Sequence, residues 1–464
     1  MPDLPQLHPL VILAIGILTI VGLIVFFRVH AFVALIVTAA LVSFLAPGEP
    51  GEKLSRVAGE FGNAVGKIGI VIAFASVIGT CLMESGAADR IVRSFVGFLG
   101  ERRAPYALMG SGYVLAMPVF FDTVFYLLVP LARSLYFHTK KDYLLYIVAI
   151  VAGGAITHTL VPPTPGPLII ATQLNVDLGM MILMGLVVAV PAALAGMVFA
   201  TVINRVMPIP VRERHNGTAH EPIPEEQLPP LLFSLVPVLL PVAMITSHTI
   251  VSALAKADSN PDSSLHAVQK ITVVVGDANF ALFISMLSAI ALVLTNRRPG
   301  MRRTIESITD DSLLSAGVII LITAAGGAFG AMLKVAGIGE AIQGVFAGAS
   351  PSGLLYLLMG FGIASVLKVA QGSSTVAMIT GASMLAAMIG DGSGLGYHPV
   401  YLALAIGSGS LVGSWMNDSG FWIFARMGGL TERETLKSWT PLLAILGCSG
   451  MLTSLMLAVI LPLR

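Results

Sequence analysis

The chain has 464 residues, of which 56% are hydrophobic and only 11% charged, with a formal net charge of +1. Soluble proteins carry about 25% charged residues, so this chain cannot face water all round, and soluble enzymes, nucleic-acid binders and disordered modules are excluded. Its two cysteines, Cys81 and Cys448, lie in apolar runs and imply neither a disulfide framework nor a thiolate metal site. The mean hydropathy of +0.89 is that of a polytopic membrane protein.

A membrane-crossing helix needs about 20 mostly apolar residues. The first run, 9–27, follows MPDLPQLHP, which lacks Lys and Arg, so it reads as a retained span and not a cleaved signal. Runs 31–46 and 66–83 come next. The stretches 105–136 and 143–175 are apolar but punctuated by Gly, Pro, Ser, Thr and Asp. A clean run, 178–204, precedes the polar, Pro-rich segment 207–228. Runs 229–250, 273–295 and 313–334 follow, with a polar loop expected at 252–271. Two more punctuated stretches, 351–391 and 399–425, lead to the last run, 440–462. Broken helices at membrane depth persist only where they line a cavity or pack inside protein, so the four punctuated stretches are the informative ones.

Lys and Arg mark cytoplasmic loops. They cluster at Arg90, Arg93, Arg102 and Arg103, at Arg133, Lys140 and Lys141, at Arg205, Arg212 and Arg214, at Arg297, Arg298, Arg302 and Arg303, and at Arg426, Arg433 and Lys437. Segments near 175 and 338–350 carry none. One threading satisfies this pattern. The N-terminus is outside, 105–136 enters and leaves from the cytoplasm, and 351–391 enters and leaves from outside. LMESGAADRI around Gly86 resembles LKVAGIGEAI around Gly337, FFDTVFYLLVP lies opposite QGSSTVAMITG, and GGAITHTLVPPTPG lies opposite GSGSLVGSWMNDSG. The expectation is therefore an all-α polytopic membrane protein with two inverted repeats, re-entrant hairpins and broken transmembrane helices. N-terminal spans occupy 1–60, the first repeat 61–206, a cytoplasmic linker 207–228, further spans 229–312, and the second repeat 313–464.

Each punctuated stretch carries polar groups that cost free energy in a membrane. Asp122, beside Thr123 and flanked by Phe121 and Leu127, costs about 2.5–3.5 kcal/mol at the bilayer centre and must face protein, water, an ion or a substrate. Around Thr164, the prolines 162, 163, 165 and 167 cannot continue a helix. They leave freed carbonyls and a fresh helix N-terminus, which attracts anions, with Gly166 in its first turn. His158 either titrates near neutral pH or caps the broken turn. Gln371-Gly372-Ser373-Ser374-Thr375 forms a third site, with glycine for an unwound backbone and hydroxyls for a polyol. Lys368, one turn earlier, is either a counter-charge for a carboxylate or a snorkelling side chain. Asn417-Asp418-Ser419-Gly420 is a turn signature inside an apolar span. Gly447-Cys448-Ser449-Gly450 matches the GxSG of intramembrane serine proteases but has no His partner, and there is no HExxH or P-loop motif.

In PVFFDTVFYLLVPL, THTLVPPTPGP, VAQGSSTVAMIT and MNDSGFW the chain resembles the gluconate permease family, part of a wider ion transporter superfamily. The likeness runs from about residue 9 to the C-terminus. It implies proton-coupled import of gluconate and related sugar acids across a bacterial inner membrane, with one branch of the family taking D-serine. It also implies an elevator mechanism and a homodimer held through a scaffold. The expected substrate is then a small anionic hydroxy acid, bound with protons (or Na⁺) by a lipid-embedded chain without a cofactor or nucleic-acid partner. Ser373, Ser374, Thr375, Thr164 and Asn417 would read hydroxyls, with Thr123, His158, Gly166, Gln371, Gly372 and Ser419 completing the site. Asp122 or Asp418 would carry the coupled proton. Three positions depart from the expected family pattern: Asp122, Thr164 and Lys368 stand where Glu, His and Arg are expected.

Overall fold

The computed structural model describes residues 7–100, 103–212, 224–257, 264–296, 303–338, 341, 353–390, 394–416 and 418–463. Every regular element among them is helical. Seven described segments are long and apolar enough to cross a membrane: Pro50–Glu84, Tyr143–Gln173, Leu178–Val206, Leu231–Ala255, Ala278–Thr295, Ile305–Val335 and Glu432–Ile460.

Two short apolar helices open the chain: α1 (Pro9–Val21), running on into a π-helical turn at Gly22–Phe26, and α2 (Ala31–Leu45). Then comes α3 (Lys53–Glu84), which begins well before the apolar run at 66. Its first turns have a job at the end of α2. Lys53 Nζ donates to the carbonyls of Phe44 (2.7 Å) and Ala46 (3.1 Å), and Arg56 Nη1 to that of Pro47 (2.7 Å), satisfying carbonyls the helix end leaves open. After Gly86 come α4 (Ala87–Leu99), then the helical hairpin α5 (Ala104–Leu115) and α6 (Phe121–Thr139). One interrupted helix follows, with halves α7 (Tyr143–Leu160) and α8 (Pro165–Gln173), and then the long α9 (Leu178–Val206).

Past the linker lie α10 (Leu231–Ala257), α11 (Ser264–Val275) and α12 (Ala278–Thr295). The expected loop 252–271 is therefore largely helical. Of its polar residues, Ser252 lies on α10 and Gln269 on α11, and Gln269 Nε2 donates to Ser252 Oγ (3.4 Å); beside them the ring of His248 meets the Thr272 hydroxyl at 3.3 Å. The chain closes with α13 (Ile305–Val335), the hairpin α14 (Gly353–Gln371) and α15 (Ser374–Ile389), a second interrupted helix, α16 (Val400–Gly409) and α17 (Ser419–Gly428), and α18 (Glu432–Ile460). The order of long helix, left-handed glycine (Gly86, Gly337), hairpin, interrupted helix and long helix thus occurs twice.

The hairpin and interrupted helices sit at the centre. In α7 every residue but Leu145 and His158 is buried, α15 is buried from Val376 to Ile389, and α16 is buried throughout. The long helices wrap them with small residues inward and large ones outward. On α9, Ala189, Ala192, Ala193, Gly196 and Ala200 are buried, while Val187, Val190, Leu194, Val198 and Val202 form an exposed stripe. That inversion is how helices pack in lipid, where close backbone approach replaces the hydrophobic drive. The contact of α7 with α5 depends on it most: a Cβ on Gly153 would lie 2.0 Å from the Met109 carbonyl oxygen. Gly153→Ala is expected to destabilise the fold by about 1–3 kcal/mol, the usual cost of overpacking, read as a lower melting temperature of detergent-solubilised protein.

Candidate functional site

Four helices begin at the two hairpin tips and the two interruptions, and each has a different first turn. At the first hairpin, α6 starts after Phe120 with no side-chain cap, so its leading N–H groups stay open; Asp122 and Thr123 stand in that turn. At the second hairpin, Gly372 turns the chain with φ 87°, a conformation that disfavours any side chain. Ser373 then caps α15, accepting from Val376 N at 3.3 Å. At the second interruption, Asp418 caps α17, its Oδ1 accepting from Gly420 N at 2.9 Å. At the first interruption, the Pro162–Pro163 peptide is cis, and the Thr164 hydroxyl turns back toward the carbonyls of His158 (2.9 Å) and Val161 (2.7 Å).

Three of these four starts, those of α6, α15 and α17, open into one cavity of about 600 Å³. Its walls are completed by His158 and Thr159 of α7, Ser315 and Ile319 of α13, and Trp439 and Leu443 of α18. The volume lies in the range of small-molecule sites, about 300–1,000 Å³. Three helix N-termini supply partial positive charge, which attracts an anion; that of α6 has no side-chain cap, while Ser373 and Asp418 cap those of α15 and α17. Among the described residues, the carboxylate of Asp122 and the hydroxyls of Thr123, Thr375 and Ser419 have no hydrogen-bond partner in the protein and face this space. Those groups match a ligand bearing several hydroxyls.

Lys368 does not meet the cavity as a free cation. Only 1% exposed, its Nζ donates to Asp418 Oδ2 at 2.7 Å and to the Gly372 carbonyl at 2.6 Å. Asp418 Oδ2 also accepts from the Ser414 hydroxyl, and Trp439 Nε1 donates to Ser414 Oγ at 2.7 Å. One chain of hydrogen bonds therefore ties the tip of the second hairpin to the second interruption and to α18. The two charges expected to serve substrate and proton separately are paired with each other.

The remaining candidates divide plainly. Gly372, Ser373 and Ser374 line the cavity, with Ser374 Oγ donating to the Ser410 carbonyl at 2.9 Å. His158 lines it too, its ring edge-on to Phe120 at 6.0 Å and its Nδ1 without a partner among the described residues. Gln371 is the last residue of α14, adjoining the tip. Thr164 and Gly166 lie outside the lining. Gly166 instead lets α8 approach α15, since a Cβ there would lie 2.0 Å from Met378 Cε. Asn417 lies outside the described residues. Sequence reasoning did not single out Trp439 or Thr159. The one available signal for Trp439 was an indole N–H, which needs a partner when buried, in an otherwise apolar run.

An apolar helical chain whose interrupted helices converge on a polar, solute-sized cavity is a membrane transport protein. Solved transporters share the fold. MtrF of Neisseria gonorrhoeae superposes with a TM-score of 0.65 at 15% identity, covering 100% of this chain and 97% of that one. YdaH of Alcanivorax borkumensis superposes with a TM-score of 0.63 at 13% identity, covering 98% and 100%. The chain belongs to the GntP family of permeases, whose family model matches residues 8–460. It is 33% identical over 461 residues to a gluconate permease of Pseudomonas aeruginosa, covering 98% of this chain and 99% of that one. It is 32% identical over 451 residues to the Gnt-II system L-idonate transporter of Escherichia coli, covering 96% and 98%. It is a multi-pass membrane permease, and not an enzyme.

Proposed function

We propose that this permease imports gluconate or a closely related sugar acid together with a proton. The observation that carries the reading is the polar inventory of the central cavity: three helix starts for a carboxylate, the hydroxyls of Thr123, Thr375 and Ser419 for a polyol, and one carboxylate, Asp122, without a hydrogen-bond or ion-pair partner among the described residues. The substrate carboxylate sits against the first turns of α15 and α17, and Thr123, Ser373, Thr375 and Ser419 read its hydroxyls. Because Lys368 and Asp418 neutralise each other, an incoming anion would share the cavity with the negative charge of Asp122. Two like charges in one weakly polar space repel strongly. A proton on Asp122 removes that repulsion and leaves the loaded site with a single negative charge.

The doubled element order supports two inverted repeats, 61–206 and 313–464, with the site at their interface. In this reading the hairpins and interrupted helices move as one body against a scaffold that also joins two protomers. In this reading the chain lies in a bacterial inner membrane with its N-terminus outside, an orientation that the distribution of basic loops supports. Counterflow in proteoliposomes tests the substrate: vesicles preloaded with gluconate should take up labelled gluconate. Idonate should compete, and D-serine, which lacks the polyol chain, should compete at least tenfold less well, because a site built to bond hydroxyls is left with unpaired groups by ligands without them. Strong competition by D-serine and none by idonate would overturn the sugar-acid reading. Accumulation that stops when choline replaces Na⁺ would move the coupling from protons to sodium.

A further inference from the structure

A second cavity, of about 360 Å³, lies between α3, α8 and α13, apart from the residues that line the first. Its mouth is polar, with Lys67, Lys334 and Asn175 exposed there. Lys67 of α3 and Lys334 of α13 bring two ammonium groups to it, and Glu60 brings one carboxylate. Among the described residues none of the three makes an ion pair or a hydrogen bond. Gln173 and Asn175, at the end of α8, add amides. Deepest is Thr323, which is 2% exposed and whose hydroxyl has no partner among the described residues. A buried hydroxyl without a bond costs free energy unless a ligand or water completes it.

The two cavities share one wall. Ser315 and Ile319 of α13 border the first, and Thr323, Gly327, Ala331 and Lys334 border the second. The lining turns about α13 as it advances, by roughly 160° from Ser315 to Ala331 at 3.6 residues per turn, so the second cavity follows the first along the helix. From Ser315 to Lys334 the lined stretch spans about 28 Å at 1.5 Å per residue, close to the thickness of a bilayer's hydrocarbon core, about 30 Å.

We propose that this second cavity is a separate binding station for the same polyhydroxy carboxylate, toward the opposite end of the route along α13. It rests on the sugar-acid reading given above. The carboxylate of the ligand lies between Lys67 and Lys334, whose combined charge exceeds that of Glu60. Glu60 and the amides of Gln173 and Asn175 take hydroxyl groups.

Cysteine protection tests this directly in full-length detergent-solubilised protein. Ala331→Cys places a thiol on the cavity wall in a Cys448→Ser background, and its maleimide labelling rate is followed against sodium gluconate, with sodium chloride at equal ionic strength as control. Gluconate should slow labelling at least fivefold and chloride should not. Lys67→Gln and Lys334→Gln should each raise the protecting concentration tenfold or more, and Lys334→Arg should restore much of it. Labelling indifferent to gluconate would overturn the station, as would protection that survives in the Lys67→Gln/Lys334→Gln double variant, because occupancy of the central cavity would then be its source. A thiol at Thr375, in the central cavity, is labelled in parallel. Gluconate protection at Thr375→Cys without protection at Ala331→Cys removes the station alone. Protection at neither removes the sugar-acid reading as well.

Discussion

Asp122→Asn should abolish uphill accumulation of gluconate while gluconate–gluconate exchange continues at a substantial fraction of its normal rate. The reasoning is local. Asp122 sits in the first turn of α6, faces the central cavity, and has no hydrogen-bond or ion-pair partner among the described residues. Replacing it with the nearly isosteric amide keeps the shape of the hairpin tip and its hydrogen-bonding reach, and removes only the exchangeable proton. The site then behaves as if permanently protonated, so substrate binds and crosses but an imposed pH gradient no longer drives it. The comparison of accumulation with exchange in the same proteoliposomes separates this outcome from misfolding, which lowers both. An Asp122→Asn protein that still concentrates gluconate against its gradient would remove Asp122 from coupling.

The second large effect concerns the buried pair. Asp418→Asn should cost about 3–5 kcal/mol of stability, the price of leaving one charge of a buried pair uncompensated, because Lys368 is 1% exposed and loses the carboxylate that its ammonium bonds at 2.7 Å. Lys368→Met alone should be similarly harmful, since Asp418 would keep only Ser414 and the Gly420 N–H. The double variant Lys368→Met/Asp418→Asn should recover much of the loss, because no unpaired charge remains. A double-mutant cycle in melting temperature measures the coupling, and additive losses would show that the two side chains act independently. Transport should not recover in the double variant: the chain from Trp439 through Ser414 and Asp418 to Lys368 and Gly372 also fixes the second hairpin tip beside the start of α17.

Much of the fold was legible because membrane insertion writes strong rules into a sequence. The prolines after His158 could not continue a helix, and α7 and α8 part there; Gly372 and the Asn417–Gly420 turn announced the other interruptions. The long helices were under-read at their ends. Hydropathy marks only the apolar centre of α3, while Lys53 and Arg56 extend it by bonding back to the end of α2, contacts between residues near in sequence but invisible to a window average. The segment 252–271 was misjudged for the same reason, Ser252 and Gln269 bonding to each other across α10 and α11.

The site was legible by segment and less so by residue. Chain-local rules place Asp122, Thr123, Ser373, Thr375 and Ser419 at helix starts, and those five do share one cavity. They cannot say which way a side chain turns. The Thr164 hydroxyl turns into its own interruption, and Lys368 turns to Asp418, 50 residues away, instead of to a ligand. Trp439 joins the network from the first turns of α18, where no motif marks it.

The most direct test of the central claim is uptake of labelled gluconate by Na⁺-free proteoliposomes with an acid exterior, with and without a protonophore. Concentration of gluconate inside the vesicles, collapsing when the protonophore is added, is the expected result. Uptake that only equilibrates, or accumulation indifferent to the protonophore, would contradict proton coupling.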